Sequence, residues 1–422
     1  MTLPETEVLT SLVARIFHID DITALDPAKG QVMRYRGRLL GDDSASSYDQ
    51  LAASVKPYEL TPLFRLEKGE QVIYLVKSPP EQTPARPWVN VILFVITIFS
   101  VMLAGVDVDG LPPAGIWDYL VFAFVHIFSG WPFALAMLGI LLAHEFGHYL
   151  VSRYHKTPAT LPYFIPFPLS PLGTMGAAIL MKGIPKNKRI LFDIGVAGPI
   201  AGMLVAIPVL IFGLSLSKVE TVADFVYPPV VPGQATYCPN PSYVEGGKGE
   251  YVCPLDNLFE GNSLFYLGAK YLAFGRLLPS PVDYRGVNPI LYWLRYFFTG
   301  QPLPIGGLDV TIHKVAFAGW AGLLVTAMNL VPAGTLDGGH VVYSLFGEKA
   351  RKAFPYLIGL LLVMGVFWSG WWLWAFLLFW LGRVNAETLD QITPLNLPRR
   401  VVAVAMIVLF VLVFTPVPFA AF

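Results

Sequence analysis

The stretch Leu141-Leu142-Ala143-His144-Glu145-Phe146-Gly147-His148-Tyr149 decides how this chain is read. It lies in an apolar run, residues 133–154, long enough to cross a bilayer as a helix. Residues four apart share a helix face, so His144 and His148 both reach one metal ion and Glu145 sits beside that face. Zinc takes imidazole nitrogens at about 2.0–2.1 Å. A zinc-activated water is then the expected nucleophile of a hydrolysis, with Glu145 as general base and later proton donor to the leaving amine. A carboxylate at mid-bilayer depth costs about 2.5–3.5 kcal/mol on insertion scales, so a Glu145 without a use has no reason to be there.

The composition suits a membrane setting. Of the 422 residues, 55% are hydrophobic and 14% charged, against about 25% charged in soluble domains. Mean hydropathy is +0.58. That points to the lipid bilayer as the solvent; the formal net charge is zero, so nothing suggests nucleic acid as a partner. Two cysteines, Cys238 and Cys253, are too few for a disulfide scaffold or a Cys-rich zinc module. Residues 1–15 lack both the basic start and apolar core of a signal peptide and the composition of a transit peptide, so the first membrane helix is expected to direct targeting.

Outward from the motif, the expected fold is an α-helical polytopic membrane protein of about six or seven spans plus re-entrant segments, with a small N-terminal soluble α+β domain. That domain covers residues 1–85: it mixes charge with alternation such as Gln71-Val72-Ile73-Tyr74-Leu75-Val76 and with helix spacing over 48–55. Pro79, Pro80, Pro84 and Pro87 then form a stiff linker. The membrane part covers 86–422. Its expected spans are 88–106, 133–154, 190–214, 315–331, a short hairpin of 354–367 and 371–381, and 401–414. Residues 116–129 read as interfacial or re-entrant. Residues 161–172 are apolar but carry Pro162, Pro166, Pro168 and Pro171, so they cannot be a regular helix and must be shielded or interfacial. Basic residues at Arg153/Lys156, Lys182–Arg189, Lys349–Lys352 and Arg399/Arg400 fall on one side, taken as cytoplasmic together with the N-terminal domain. Residues 215–312 fall outside with both cysteines, where a Cys238–Cys253 bridge would close a loop of about 15 residues for roughly 3 kcal/mol.

Two histidines leave a zinc ion short of one protein ligand. The segment Asn329-Leu-Val-Pro332-Ala-Gly334-Thr-Leu336-Asp337-Gly338-Gly339-His340 offers Asp337 as the third ligand, with His340 the alternative. Pro332 frees backbone groups, and Asn329 offers both a donor and an acceptor for substrate or for helix packing. The proline-rich 161–172 segment suits an extended substrate, so Tyr163, Phe164 and Phe167 are expected substrate contacts by strand addition.

The H-E-x-x-H helix and the N-x-x-P-x-x-x-L-D-G-G segment about 190 residues later resemble the site-2 protease family of intramembrane zinc metalloproteases. Leu161-Pro162-Tyr163-Phe164-Ile165-Pro166, Gly173-Thr-Met-Gly176-Ala177, Phe192-Asp193-Ile-Gly-Val-Ala-Gly198-Pro199-Ile-Ala-Gly202 and Asp390-Gln-Ile-Thr393-Pro394 are similar to the branch of chloroplast site-2-protease-like proteins and their bacterial relatives. The resemblance implies zinc as cofactor, His144, His148 and Asp337 as ligands and Glu145 as catalytic base. It also implies a metalloendopeptidase cutting membrane-anchored protein substrates, often regulators released by the cut. The expected location is the bacterial plasma membrane, with the active site toward the cytoplasmic side. One departure stands out: some members carry G-N-x-x-R, and here Gly261-Asn262-Ser263-Leu264 is followed by Phe265. No PDZ-like insertion or CBS-like tail is expected.

Other residues read more plainly. His155 beside Lys156 reads as solvated, His126 as interfacial, and His313, which opens a span, as a helix cap or a residue facing the site. Trp368, Trp371 and Trp372 read as an interfacial belt. Gly198, Pro199 and Gly202 read as close helix packing, or a kink that gates access. A transporter would spread charge over several spans rather than gather one His-Glu-His cluster. An inactive homologue kept as chaperone or scaffold would not need Glu145.

Overall fold

The computed structural model describes residues 6–26, 30–79, 86–106, 116–221, 242–243, 251–252, 258–281, 284, 286–300, 307–381 and 387–421. Cys238 and Cys253 lie outside them, as do Pro80 and Pro84.

The N-terminal part is a four-stranded antiparallel sheet with two helices, α1 (Thr6–Ala14) and α2 (Ser44–Val55). Its strands are β1 (Phe17–Ala24), β2 (Gln31–Leu39), β3 (Leu60–Glu67) and β4 (Glu70–Lys77), in the order β1-β2-β4-β3. The β3–β4 turn is Lys68-Gly69, both at positive φ, as a two-residue hairpin that follows the strand twist requires. The helices bury Leu9, Val13, Leu51 and Val55 against Phe17, Tyr35, Phe64 and Ile73. The alternation read at 71–76 is thus a strand with Ile73 and Leu75 inside.

The apolar part begins with α3 (Pro87–Ala104) and α4 (Ile116–Val125). A 3-10 turn, Ile127–Gly130, runs into α5 (Trp131–Tyr154), then the hairpin β5 (Tyr163–Pro166) and β6 (Thr174–Ala178), and α6 (Lys188–Ser215). Short strands β7 (Lys218–Thr221), β8 (Ser242–Tyr243), β9 (Tyr251–Val252) and β10 (Leu258–Glu260) precede α7 (Leu264–Phe274) and α8 (Pro289–Thr299). After β11 (Leu308–Thr311) come α9 (Lys314–Asn329), α10 (Asp337–Phe346), α11 (Glu348–Met364), α12 (Gly370–Leu381), α13 (Leu397–Val413) and β12 (Phe419–Ala421).

Among the described residues three helices are long and apolar enough to cross a membrane: Pro87–Ala104, Ile127–Tyr154 and Lys188–Ser215. The other expected spans are shorter, with 16 residues in α9, 17 in α11, 12 in α12 and 17 in α13. α9 stops at Asn329 because Pro332 follows, and it starts where the His313 side chain accepts a hydrogen bond from the Val315 N–H. α11 reaches back past the expected start at Phe354 to Glu348, whose carboxylate pairs with Arg351 at 3.3 Å.

α5, α6 and α9 form the centre of the molecule. Gly319 lies on the backbone of Leu210 and Gly322 on Ile140 and Ala206, the small-residue contact that lets helices approach closely where lipid supplies no hydrophobic drive. The proline-rich segment forms the first strand and turn of the β5–β6 hairpin; its missing N–H groups exclude a regular helix. Carbonyls of this stretch are met by α3: Asn90 Nδ2 donates to the Leu161 and Pro162 oxygens at 2.8 and 3.0 Å, and Ser100 Oγ to the Gly173 oxygen at 2.6 Å. Irregular backbone at membrane depth needs such partners. Trp371 is not part of a belt: it is fully buried, stacked on Phe414 at 5.3 Å. Trp372 is exposed.

The N-terminal sheet is joined to the helices by residues 388–391. Strand β3 exchanges hydrogen bonds with this segment, Phe64 N–H to the Leu389 oxygen at 2.9 Å and Gln391 N–H to the Phe64 oxygen at 3.1 Å. On its other side Asp390 N–H donates to the Lys186 oxygen at 2.7 Å. Lys186 also pairs with Asp49 of α2. The sheet therefore sits at the end of the helices that carries the basic residues 182–189.

Candidate metal centre

His144 and His148 stand one turn apart on α5 and face α6. Room for them comes from glycine. A Cβ at Gly198 would lie inside the His148 ring, and one at Gly202 would be 3.2 Å from His144 Nδ1. Gly195 makes the same space for His340, whose Cβ would be 2.8 Å away. The reading of Gly198 and Gly202 as helix packing is thereby sharpened: the face packs imidazole rings.

The His148 ring is aimed by a hydrogen bond from Nδ1 to the Ile194 carbonyl oxygen at 2.7 Å, an acceptor that makes Nδ1 the protonated nitrogen and turns Nε2 toward a ligand. Nε2 of His148 lies 3.1 Å from Nε2 of His144. Asp337 completes a triangle, with Oδ2 3.2 Å from His144 Nε2 and Oδ1 3.3 Å from His148 Nε2. Donors bonded at about 2.0–2.1 Å around a tetrahedral ion stand about 3.3–3.4 Å apart; the two imidazole nitrogens and the Asp337 carboxylate, which meets each ring through a different oxygen, lie within 4.8 Å of one another and fit one ion. Two imidazoles and a carboxylate are a zinc donor set.

Asp337 arrives as the first residue of α10, behind a turn that only small residues permit. A Cβ at Gly339 would meet the Gly334 oxygen at 2.5 Å, and one at Gly338 would strike the Leu330 carbonyl. Asn329, at the end of α9, places Nδ2 3.2 Å from His144 Nε2. His340 is buried beside the triangle but is not part of it; the described group able to hold a metal is His144, His148 and Asp337.

These residues open on a cavity of about 450 Å3. Glu145 lines it, 4% exposed, together with Ile179. The opposite wall is Ala177, Ala178, Ile179, Leu180 and Met181, the end and continuation of β6. Five consecutive residues bound the space, so backbone as well as side chains faces it. Tyr163, Phe164 and Phe167 are not among the lining residues. Phe164 is buried against Phe94 of α3 at 4.8 Å, Tyr163 is half-buried in β5, and Phe167 is exposed beyond it. The hairpin thus turns its second strand, not its first, to the cavity.

His155 is not simply solvated. Its Nε2 lies 3.0 Å from Asp193 Oδ2, and Arg399 grips the same carboxylate with two bonds of 2.7 Å.

The donor set, the adjacent carboxyl and the membrane-length helices around them are the marks of a membrane-embedded zinc metallopeptidase. A model of Peptidase family M50, the site-2 protease family, matches residues 132–366, more than half of the chain, and the chain belongs to that family. Among its relatives is "Probable zinc metalloprotease EGY1, chloroplastic" of Oryza sativa subsp. japonica, 28% identical over 69% of this chain and 44% of the relative. "Probable zinc metalloprotease EGY2, chloroplastic" of Oryza sativa subsp. indica is 26% identical over 94% and 64%. "Probable zinc metalloprotease EGY1, chloroplastic" of Arabidopsis thaliana is 27% identical over 81% and 56%. The chain thus spans between about two-fifths and two-thirds of the length of these relatives. No solved structure matches the chain. The expected bacterial plasma membrane is overturned: the relatives carry chloroplast, not bacterial, names. The basic-residue pattern ranks the two sides of a membrane and does not say which membrane it is.

Proposed function

We propose that this chain is an intramembrane zinc metalloprotease that hydrolyses peptide bonds of membrane-anchored proteins. The observation that carries the reading is the cluster of His144, His148 and Asp337, in which the two Nε2 atoms stand 3.1 Å apart and each lies 3.2 to 3.3 Å from one Asp337 oxygen, with Glu145 lining the same cavity. In this reading residues 1–85 are a soluble domain on the side of the basic loops. Residues 86–422 are the membrane-embedded catalytic part, and 215–312 lie largely on the opposite side.

His144, His148 and Asp337 hold the metal. Zinc bound there supplies Lewis acidity and a water ionised near pH 7. Glu145 accepts the proton released as water attacks the scissile carbonyl and returns it to the leaving amine. Asn329 offers its amide to the substrate or to the developing oxyanion beside His144. A helical substrate hides its peptide bonds in its own hydrogen bonds and must be drawn out before the cut. Strand addition along residues 177–181 would hold it extended against Glu145. The 28-residue α6 backs the histidines, with Gly198 against the His148 ring and Gly202 against His144.

The test is cleavage of membrane-anchored reporter proteins by the purified chain in liposomes, alongside metal analysis. Cleavage that needs zinc and is abolished in Glu145→Gln supports the reading. A wild-type protein that binds zinc but cuts no membrane-anchored protein from a broad reporter panel, while opening a soluble peptide, would sink the substrate class.

A further inference from the structure

The zinc ligand His148 and the N-terminal sheet are linked through one short path. His148 Nδ1 is held by the carbonyl of Ile194. The residue before it, Asp193, is gripped by Arg399 through Nε–Oδ1 and Nη2–Oδ2 bonds, both 2.7 Å. A bidentate guanidinium–carboxylate pair of this length fixes orientation as well as distance. His155, the C-cap residue of α5 about two turns beyond the H-E-x-x-H motif, bonds the same Asp193 oxygen at 3.0 Å. Asp193 therefore pins together the tail of α5, the ligand-supporting turn of α6 and the first turn of α13.

Arg399 in turn stands just after the docking segment of the N-terminal domain. Asp390 is wholly buried there and saturated with donors. Ser44 Oγ of α2 reaches both its oxygens, at 3.1 and 3.2 Å, Ile392 N–H reaches Oδ1 at 2.8 Å, and the Thr393 hydroxyl bonds Oδ2. Arg189, at the start of α6, closes the loop by donating Nε to the Pro394 oxygen at 3.0 Å. Both ends of the path rest on buried or half-buried polar groups rather than on loose surface pairs.

We infer that Asp193 is a positioning residue for His148, and that Arg399 and Asp390 make this positioning depend on the docked N-terminal domain. The inference rests on the zinc-centre reading above. Undocking the domain releases Arg399, and freeing Asp193 lets the Ile194 carbonyl drift from Nδ1, so the imidazole is no longer held toward the metal. Partners of this kind around a metal ligand are worth about 10–100-fold in metal affinity.

The experiment loads the full chain with zinc in detergent and follows zinc release to a chelator. Cobalt-substituted samples report ligand geometry by their visible absorption. Asp193→Asn, Arg399→Gln and Asp390→Asn are each expected to release zinc about 10–100-fold faster and to alter the cobalt spectrum, while Asp193→Asn combined with Asp390→Asn is no worse than the worse single. The exchanged pair Asp193→Arg with Arg399→Asp should recover part of the retention, which a general loss of packing would not. Zinc-loaded variants with wild-type release rates and spectra overturn the inference. Fully additive effects overturn its dependence on the docked domain. A wild-type chain that takes up no zinc overturns the metal-centre reading and this inference with it.

Discussion

The ring of His148 fills the volume that a side chain at position 198 would need. The consequence is a sharp difference between glycines of the same bundle. Gly198→Ala must push the ring off its Ile194 partner, so zinc content is expected to drop from about one per chain to a small fraction, measured by metal analysis of purified protein. Gly139→Ala on α5 meets nothing within 4 Å and should hold full zinc, with stability unchanged or raised by about 0.5–1 kcal/mol. Full zinc in Gly198→Ala would show that the ring sits elsewhere.

Glu145→Gln keeps the shape of the side chain and loses its basicity. Turnover is expected to fall by about 10²–10⁴, with zinc content and substrate capture unchanged. Turnover like the wild type would remove Glu145 from the chemistry.

Asp337 and His340 sit three residues apart, but only Asp337 closes the triangle. Asp337→Ala should lose most of the zinc, and His340→Ala should keep most of it. Asn329→Ala should keep zinc and slow cleavage, because its amide stands beside His144 at 3.2 Å without being needed for the three-donor set. Zinc retention that falls in His340→Ala and survives in Asp337→Ala would reverse the assignment.

The site was legible where spacing alone determines geometry. Histidines four apart on an apolar helix, and an Asp between a Pro-broken helix and two glycines, leave little choice of partner. What escaped is what depends on distant partners. His155 beside Lys156 looks like any solvated histidine, and its partner Asp193 is 38 residues away while Arg399 lies 206 beyond Asp193. Gly198 and Gly202 carry no mark that separates a packed helix from a packed imidazole; only their position opposite the motif histidines does. The proline-rich segment was readable as non-helical, but not which strand of the hairpin faces the cavity, since Phe164 and Ile179 are equally apolar. Helix ends differ from the apolar runs where charge continues a helix, as at Glu348, or where Pro332 stops one at Asn329.

Photo-reactive amino acids can decide which strand meets substrate. Placed at Ala177, Ile179 or Met181 in the Glu145→Gln background, they are expected to capture a membrane-anchored substrate. At Phe164, buried against Phe94, they should capture only neighbouring parts of the chain. Capture from Phe167 and none from 177–181 would move substrate to the hairpin tip.

The last prediction lies away from the metal. Glu260 of β10 accepts a hydrogen bond from Tyr266 Oη at 2.9 Å, and Lys270, wholly buried on α7, places its ammonium 3.9 Å from Asp309 and over the Tyr266 ring. Asp309 thus stands beside this buried cation, and the Glu260 carboxyl lies within its field. Burial drives the Glu260 carboxyl above its ordinary value of 4.5, with Lys270 opposing and Asp309 adding to the rise. A carboxyl whose folded-state pKa is raised keeps its proton where the unfolded chain has released it. Stability from this group is then full below 4.5 and is lost as pH rises toward its raised folded value. Glu260→Gln, which cannot ionise, should melt progressively higher relative to the wild type as pH is raised from about 5 to about 8 in detergent. The metal site titrates alike in both proteins and cancels in the difference. A difference in melting temperature that stays flat over that range would mean that Glu260 is ionised throughout, paired with Lys270, and that Asp309 holds the extra proton instead.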